Sequence, residues 1–209
     1  MTYKVKYPRT MHVPHSLGAT SDDKILKSID HLLGKECVIT EKMDGECSSL
    51  YKNTRHARSL DSTHHFSRNW LANFHSTISY LIPDDYRICG EYLYARHSIA
   101  YDELPSYFLA FSVWSNQLCL EWDTTVEYLN SINVNTVPVL FRGILTHDVL
   151  KEIEKNLNYE KQEGYVIRLA SSFYYDEFSS SVCKYVRANH VCTDDHWMYK
   201  QIIPNKLKS

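Results

Sequence analysis

The sequence predicts an α+β domain of antiparallel sheets flanked by segregated helices. Three observations carry that prediction. Short apolar or alternating runs bounded by turn residues recur along the chain, among them "ECVIT", "YRICGEYLYA", "YFLAFSVW", "GYVIRL" and "SVCKYVR". Segments with helical spacing fall between them rather than after each strand in turn. No linker, repeat or low-complexity tract divides the 209 residues, so one domain, 1–209, is expected, long enough to bury its own core.

The opening "YKVKYPRTMHVPHSLGATSDDK" carries Pro8, Pro14 and Gly18, which predicts a wandering segment, then a short helix from Ser21 to Leu33 with Ser21 as N-cap. "ECVIT" and "ECSSLYKN" read as two antiparallel strands joined across a turn at 42–45, and "RHARSL" continues the meander. Phe66, Trp70, Leu71, Phe74, Ile78 and Leu81 recur at helical steps and predict an amphipathic helix over 65–82, ended by Pro83. Strands over 86–95 and 107–114 follow, with "LCLEW" as the hairpin partner of the second. A helix at 123–132, an isolated strand around Val137 to Phe141 and a helix from Thr146 to Asn156 precede the last two strands, 164–169 and 181–187. Thr193 heads a terminal helix.

Composition narrows the function classes. Lys+Arg 23 against Asp+Glu 25 gives a net charge of −2, which demands no polyanionic partner yet allows a local basic groove. The six cysteines lie scattered without a CxxC pair or signal-peptide pattern, as expected of reduced thiols in a cytoplasmic protein. No apolar run approaches the ~20 residues a membrane helix needs, so no membrane partner is expected. Sixteen tyrosines, four tryptophans and seven phenylalanines suit either a β-rich body or stacking surfaces for bases.

Chemistry concentrates at Glu41-Lys42-Met43-Asp44-Gly45, between two strand signals. A lysine there is either an exposed turn residue in a weak ion pair or an amine projected into a cleft. In the second case burial and neighbouring cations lower its pKa until it is a nucleophile. Gly45 would let the backbone approach a phosphate, and Asp44 would lie beside the amine.

The ordered set of downstream motifs favours the cleft. Lys42-Met43-Asp44-Gly45 resembles the KxDG signature of covalent nucleotidyltransferases, in which the lysine attacks the α-phosphate of a nucleoside triphosphate. "HARSLD" supplies Arg58, "CGEYLY" supplies Glu91, "YFLAFSV" supplies Phe111, "EGYVIR" supplies Glu163, Gly164 and Arg168, and "VCKYVR" supplies Lys184, in the family's order. Acidic Glu41, the N-terminal "YPRTMHVPHSLGATSDDK" and "RANHVCTDDHW" look like the small ATP-dependent RNA ligases. That resemblance implies an ATP-grasp-like ligase core and use of ATP with Mg²⁺ or Mn²⁺. Its substrates would be RNA ends, a 5′-phosphate and a 3′-hydroxyl. DNA ligases and capping enzymes place an arginine where this chain has Cys47 and carry an OB-fold, for which the 22 residues after Arg187 are too few. A ligase without that domain leaves room for an accessory subunit.

The resemblance implies a role for each residue. Lys42 is the nucleophile, Glu163 holds the divalent metal, and Asp44 contacts the metal through a water or orients Lys42. Lys184 and Arg168 bind phosphate oxygens with Arg187 as an assistant, although many relatives read Lys-x-Lys where this chain has Lys184-Tyr185-Val186. Adjacent strand residues face opposite ways, so Arg187 points away from the side of Val186. Glu91 binds a ribose hydroxyl, Arg58 the sugar side, Phe111 stacks on adenine and Glu41 accepts from the adenine amine. Taken singly, Phe111 reads equally as core, Arg168 and Arg187 as edge-strand charges, and Glu91 and Glu163 as strand-end acids. Arg9, His12 and 61–68 are candidate RNA contacts.

Competing readings keep other classes in view. One is an adenylyltransferase acting on something other than a polynucleotide, and another is a DNA-ligase-like enzyme. A third is a zinc module built on Cys183, His190, Cys192 and His196.

Overall fold

The computed structural model describes residues 4–60, 65–188 and 202–208. Its elements run β1 (Met11–His12), β2 (Glu36–Glu41), β3 (Glu46–Leu50), β4 (Arg55–Ala57), α1 (Asn69–Ile78), β5 (Tyr86–Tyr92), β6 (Phe108–Ser115), β7 (Leu118–Cys119), α2 (Trp122–Ser131), β8 (Val139–Ile144), α3 (His147–Asn156), β9 (Gly164–Leu169), β10 (Phe173–Tyr174), α4 (Phe178–Ser181) and β11 (Val182–Val186). Two sheets result, one ordered β1-β11-β9-β2-β8 and the other β10-β7-β6-β5-β3-β4. All pairings are antiparallel except β1 with β11.

Alternation decides which residues each layer receives. In the five-stranded sheet Cys37, Ile39, Tyr165, Ile167, Cys183 and Tyr185 face a core completed by Leu150 of α3. Its other face carries Val38, Thr40, Val166, Arg168, Val182 and Lys184, which the ladder sets side by side. In the six-stranded sheet Leu50, Ile88, Tyr92, Phe108 and Val113 face Leu71 and Ile78 of α1 and Leu129 of α2. The remaining faces meet each other, with Cys89, Trp114 and Cys119 packed against Phe173, Phe178 and Val182. Burying each such aliphatic side chain stabilises the fold by roughly 1.5–3 kcal/mol.

Three expectations are corrected. The strands before and after 42–45 do not pair: β2 belongs to one sheet and β3 to the other, so the turn crosses between layers. Residues 21–33 form turns rather than a helix, because His12 draws the segment out by donating to Lys24 O and accepting from Leu26 N–H. The strand expected to be isolated near 137–141 is β8, an edge strand paired with β2. The helix expected from Thr193 lies outside the described residues. No helix among the described residues is long and apolar enough to cross a membrane.

Candidate active site

Where the inner faces diverge they form a cleft of about 220 Å³, smaller than typical small-molecule sites of ~300–1,000 Å³ and open to solvent at its mouth. Glu41, Lys42, Arg168 and Lys184 line it from one sheet, and Cys47, Arg58, Glu91 and Phe111 from the other. The ladder explains the meeting of Lys42 and Glu163. Glu41 pairs with Tyr165, and one step on the Lys42 N–H donates to Gly164 O at 2.9 Å, which brings the preceding Glu163 beside the lysine. Gly164 is required there: its φ is +155°, and a Cβ would stand 2.0 Å from Tyr185 O.

Lys42 Nζ donates to Glu163 Oε2 at 2.6 Å, and Glu163 is 4% exposed. Burial pulls the Lys42 ammonium down, but Glu163, Glu91 and Asp44 together hold its pKa above the ordinary lysine value. This corrects the expected activation by cations, since carboxylates dominate around the amine. Glu91, whose Oε1 accepts the Gly45 N–H at 3.2 Å, is pushed up to about 8, by burial first and then by Glu163 and Asp44, against the pull of Lys42. Lys184 is lowered by burial and by Lys42, with Asp23 3.9 Å away opposing.

Asp44 turns away from the cleft's wall into a cage of donors. Its Oδ2 accepts from Ser98 N–H at 2.7 Å, Ser98 Oγ at 2.7 Å and Ile99 N–H at 2.9 Å, while its own N–H donates to Tyr101 Oη at 3.0 Å. His97 Nδ1 stands 3.7 Å from Oδ1, and burial lowers the His97 pKa in spite of that acid. Asn205 braces the loop, donating to Leu93 O at 2.7 Å and accepting from Tyr101 N–H at 3.0 Å. Gly45 lies under the six-stranded sheet rather than free to meet a phosphate, since a Cβ would fall 2.4 Å from Tyr92 O.

Arg168 lines the cleft as a wall residue. Its guanidinium donates to Leu169 O and Leu120 O, and it sits 5.5 Å from the rings of Trp122 and Phe173. It makes no ion pair among the described residues, and its buried Nη1 has no oxygen acceptor. Arg58 follows β4, exposed at the cleft and without an ion pair among the described residues. A β-bulge turns Phe111 inward: the register shifts between Cys89↔Ser112 and Gly90↔Ala110, leaving Phe111 unpaired on β6. Arg187 does not line the cleft; its N–H donates to Glu163 O, and among the described residues its guanidinium reaches only Ala188 O.

Sequence reasoning missed the residues that support the site. Tyr7, Thr10 and Asp23 line the cleft from the N-terminal segment, as does Arg9, which had been considered only for RNA. His12 is 1% exposed and hydrogen-bonded to Ser16 Oγ at 2.7 Å, so it is no RNA contact. Within 65–68, Arg68 is engaged by both oxygens of Glu46; residues 61–64 lie outside the described residues. Ser98, Tyr101 and Asn205 belong to no motif, and only tertiary contact reveals them. The zinc proposal fails at Cys183, which faces the hydrophobic core, and no cluster of three potential ligands occurs among the described residues. His190, Cys192 and His196 fall outside them.

The family model described as RNA ligase matches residues 35–186, about three quarters of the chain. The chain belongs to the RNA ligase family. Among solved structures it is similar to a provisionally named ATP-dependent DNA ligase from Aquifex aeolicus, with TM-score 0.56 and 19% identity over 87% of this chain and 50% of that one. A Naegleria gruberi RNA ligase variant with ATP and Mn aligns at TM-score 0.56 and 16% identity, covering 90% of this chain and 57% of that chain. The Naegleria RNA ligase with PPi aligns at TM-score 0.57 and 15% identity over the same shares. These likenesses show the ligase nucleotidyltransferase fold, and the chain spans 50–57% of the length of these neighbours. No curated protein sequence matches it significantly.

Proposed function

We propose that residues 1–209 form one adenylation domain of an ATP-dependent RNA ligase. The observation that carries this reading is Lys42 Nζ held 2.6 Å from Glu163 in a cleft that also presents Glu91, Phe111, Arg168 and Lys184. Neighbours of this fold hold ATP and Mn or PPi, which supports a nucleoside triphosphate here.

In the first step Lys42 loses a proton, for which Glu163 Oε2 is within reach, and its lone pair attacks the α-phosphorus of ATP. An N–P bond forms, the bond from that phosphorus to the bridging oxygen breaks, and pyrophosphate leaves. Lys184 and Arg168 offset charge on the phosphoryl oxygens, and Arg168 is suited to it because its charge has no carboxylate partner among the described residues. In the second step an RNA 5′-phosphate oxygen attacks the same phosphorus and the N–P bond breaks. In the third a 3′-hydroxyl attacks the activated 5′-phosphorus, AMP leaves and the strand is sealed. Phe111 would stack on adenine, Glu91 and Arg58 would face the ribose, and Glu41 the 6-amino group.

A divalent ion suits this donor set: Glu163 would hold it, with phosphate oxygens and waters completing the shell, as Mg²⁺ prefers when few protein ligands are present. When bound it would neutralise charge developing on the phosphates. Asp44, whose Oδ2 is saturated, serves better as an anchor of the turn than as a ligand. The five free thiols among the described residues support a reducing, cytoplasmic setting, in which strand sealing would serve RNA repair. Strand capture would draw on surfaces beyond this domain or on an accessory subunit. Incubation with α-labelled ATP and Mg²⁺ should label the protein covalently, and Lys42→Ala should remove the label; retained label would overturn the assignment. Strand joining by the labelled protein would separate RNA ligation from AMP transfer to another acceptor.

A further inference from the structure

Gln162 belongs to no motif, yet it touches the side chain assigned to adenine. Its Nε2 donates to Glu41 Oε2 at 2.8 Å, while its Oε1 accepts the Asn158 N–H at 2.9 Å. The second contact fixes the first: a flipped amide would set donor against donor at Asn158 and oxygen against oxygen at Glu41. Asn158 is itself pinned in a tight turn, where its carbonyl accepts from Lys161 and Gln162 N–H and its Oδ1 from Glu160 N–H. The backbone of Glu41 is held as well, its N–H donating to Pro138 O at 2.8 Å. Asn158, Gln162 and Glu41 therefore form a directed chain of hydrogen bonds that ends at the cleft.

We propose that Gln162 is a specificity-determining residue that, by occupying Oε2 of Glu41, aims the remaining oxygen at the 6-amino group of the purine and so selects ATP. This rests on the reading of Glu41 as the acceptor for adenine. The terminal torsion of a free carboxylate is broad, whereas one with an oxygen fixed presents its other oxygen in a single direction. Guanine places a carbonyl where adenine places the amine, so a fixed acceptor meets an acceptor, and the mismatch leaves buried polar groups unpaired. Burial raises the pKa of Glu41 and the Gln162 amide opposes the rise, which preserves its accepting form.

The test compares lysyl-nucleotide formation from ATP and from purine riboside triphosphate, which lacks the 6-amino group, in the parent, Gln162→Met and Gln162→Glu. The parent should prefer ATP. Gln162→Met should shrink that preference about tenfold, the scale of a hydrogen bond to a charged group, while leaving the amine-free nucleotide unchanged. Gln162→Glu, of the same shape, should shrink it further by setting two carboxylates together. An unchanged preference in both variants, or an equal loss with both nucleotides, would overturn the proposal. A parent without preference would remove the adenine role of Glu41 and this inference with it, even if lysyl-AMP formation stands.

Discussion

The two acids that flank Lys42, the proposed nucleophile, are held in opposite ways. Asp44 is fixed by three donors to one oxygen, two of them backbone N–H groups, and its loop is locked by Asn205. Glu163 is the more deeply buried of the two, yet among the described residues its carboxylate leans on one charged partner, Lys42. One acid is set in place by folding, whereas the other is free to exchange its partner when a ligand arrives. A turn that must carry a reacting amine is thus rigid on one side and exchangeable on the other, which suits a reaction requiring both a fixed geometry and a proton release.

Substitutions can break or sharpen that contrast. The largest effect is expected at Lys42→Ala, which should abolish covalent AMP as read by labelled protein on a denaturing gel. Glu163→Ala should slow lysyl-AMP formation on the order of 10²–10³-fold in single-turnover assays, with little loss of melting temperature, because it removes a proton acceptor and a fixed charge rather than a packing element. Asp44→Ala should instead lower stability by about 2–3 kcal/mol in denaturant titrations, since it orphans donors that fold around it. Equal destabilisation by the two would erase the distinction.

A smaller effect is expected in the pH profile of stability. Glu91 keeps its proton to about 8 when folded, but an unfolded glutamate releases it near ~4.3. The folded state binds more protons between those values, so its stability falls as pH rises through that window. Glu91→Gln should flatten the fall in melting temperature between about pH 5 and 8. Tyr101→Phe, which removes the acceptor for Asp44 N–H, should cost about 1 kcal/mol and slow adenylation a few-fold. Arg187→Ala should do least, within about twofold of the parent rate, because its guanidinium does not reach the cleft.

Much of this was legible in the chain. Period-two alternation located β5, β6, β9 and β11, and the ordered motifs brought Lys42, Glu91, Phe111, Arg168 and Lys184 to one cavity. Alternation does not say which sheet a strand joins, so β2 and β3 read as a hairpin although the crossing between layers is what aims Lys42 into the cleft. Residues 21–33 carried a capping residue and apolar spacing, but Ile29 and Leu32 gain more by sinking into the core beside Val13 than a helix would allow. The environment of Lys42 was misread for a related reason. Motif order reveals neighbours but not whether their charges are already spent, and here the nearest spent charge is its own partner, Glu163.

The bulge on β6 leaves its own consequence. Because Phe111 reaches the cleft by being one residue too many for its neighbour, its aim depends on counting rather than chemistry. Deleting Phe111 would restore an unbroken ladder and take the ring out of the cleft together with the bulge, whereas exchanging it for tyrosine would keep both. Insertions and deletions along this strand should therefore be far more damaging than substitutions of similar bulk.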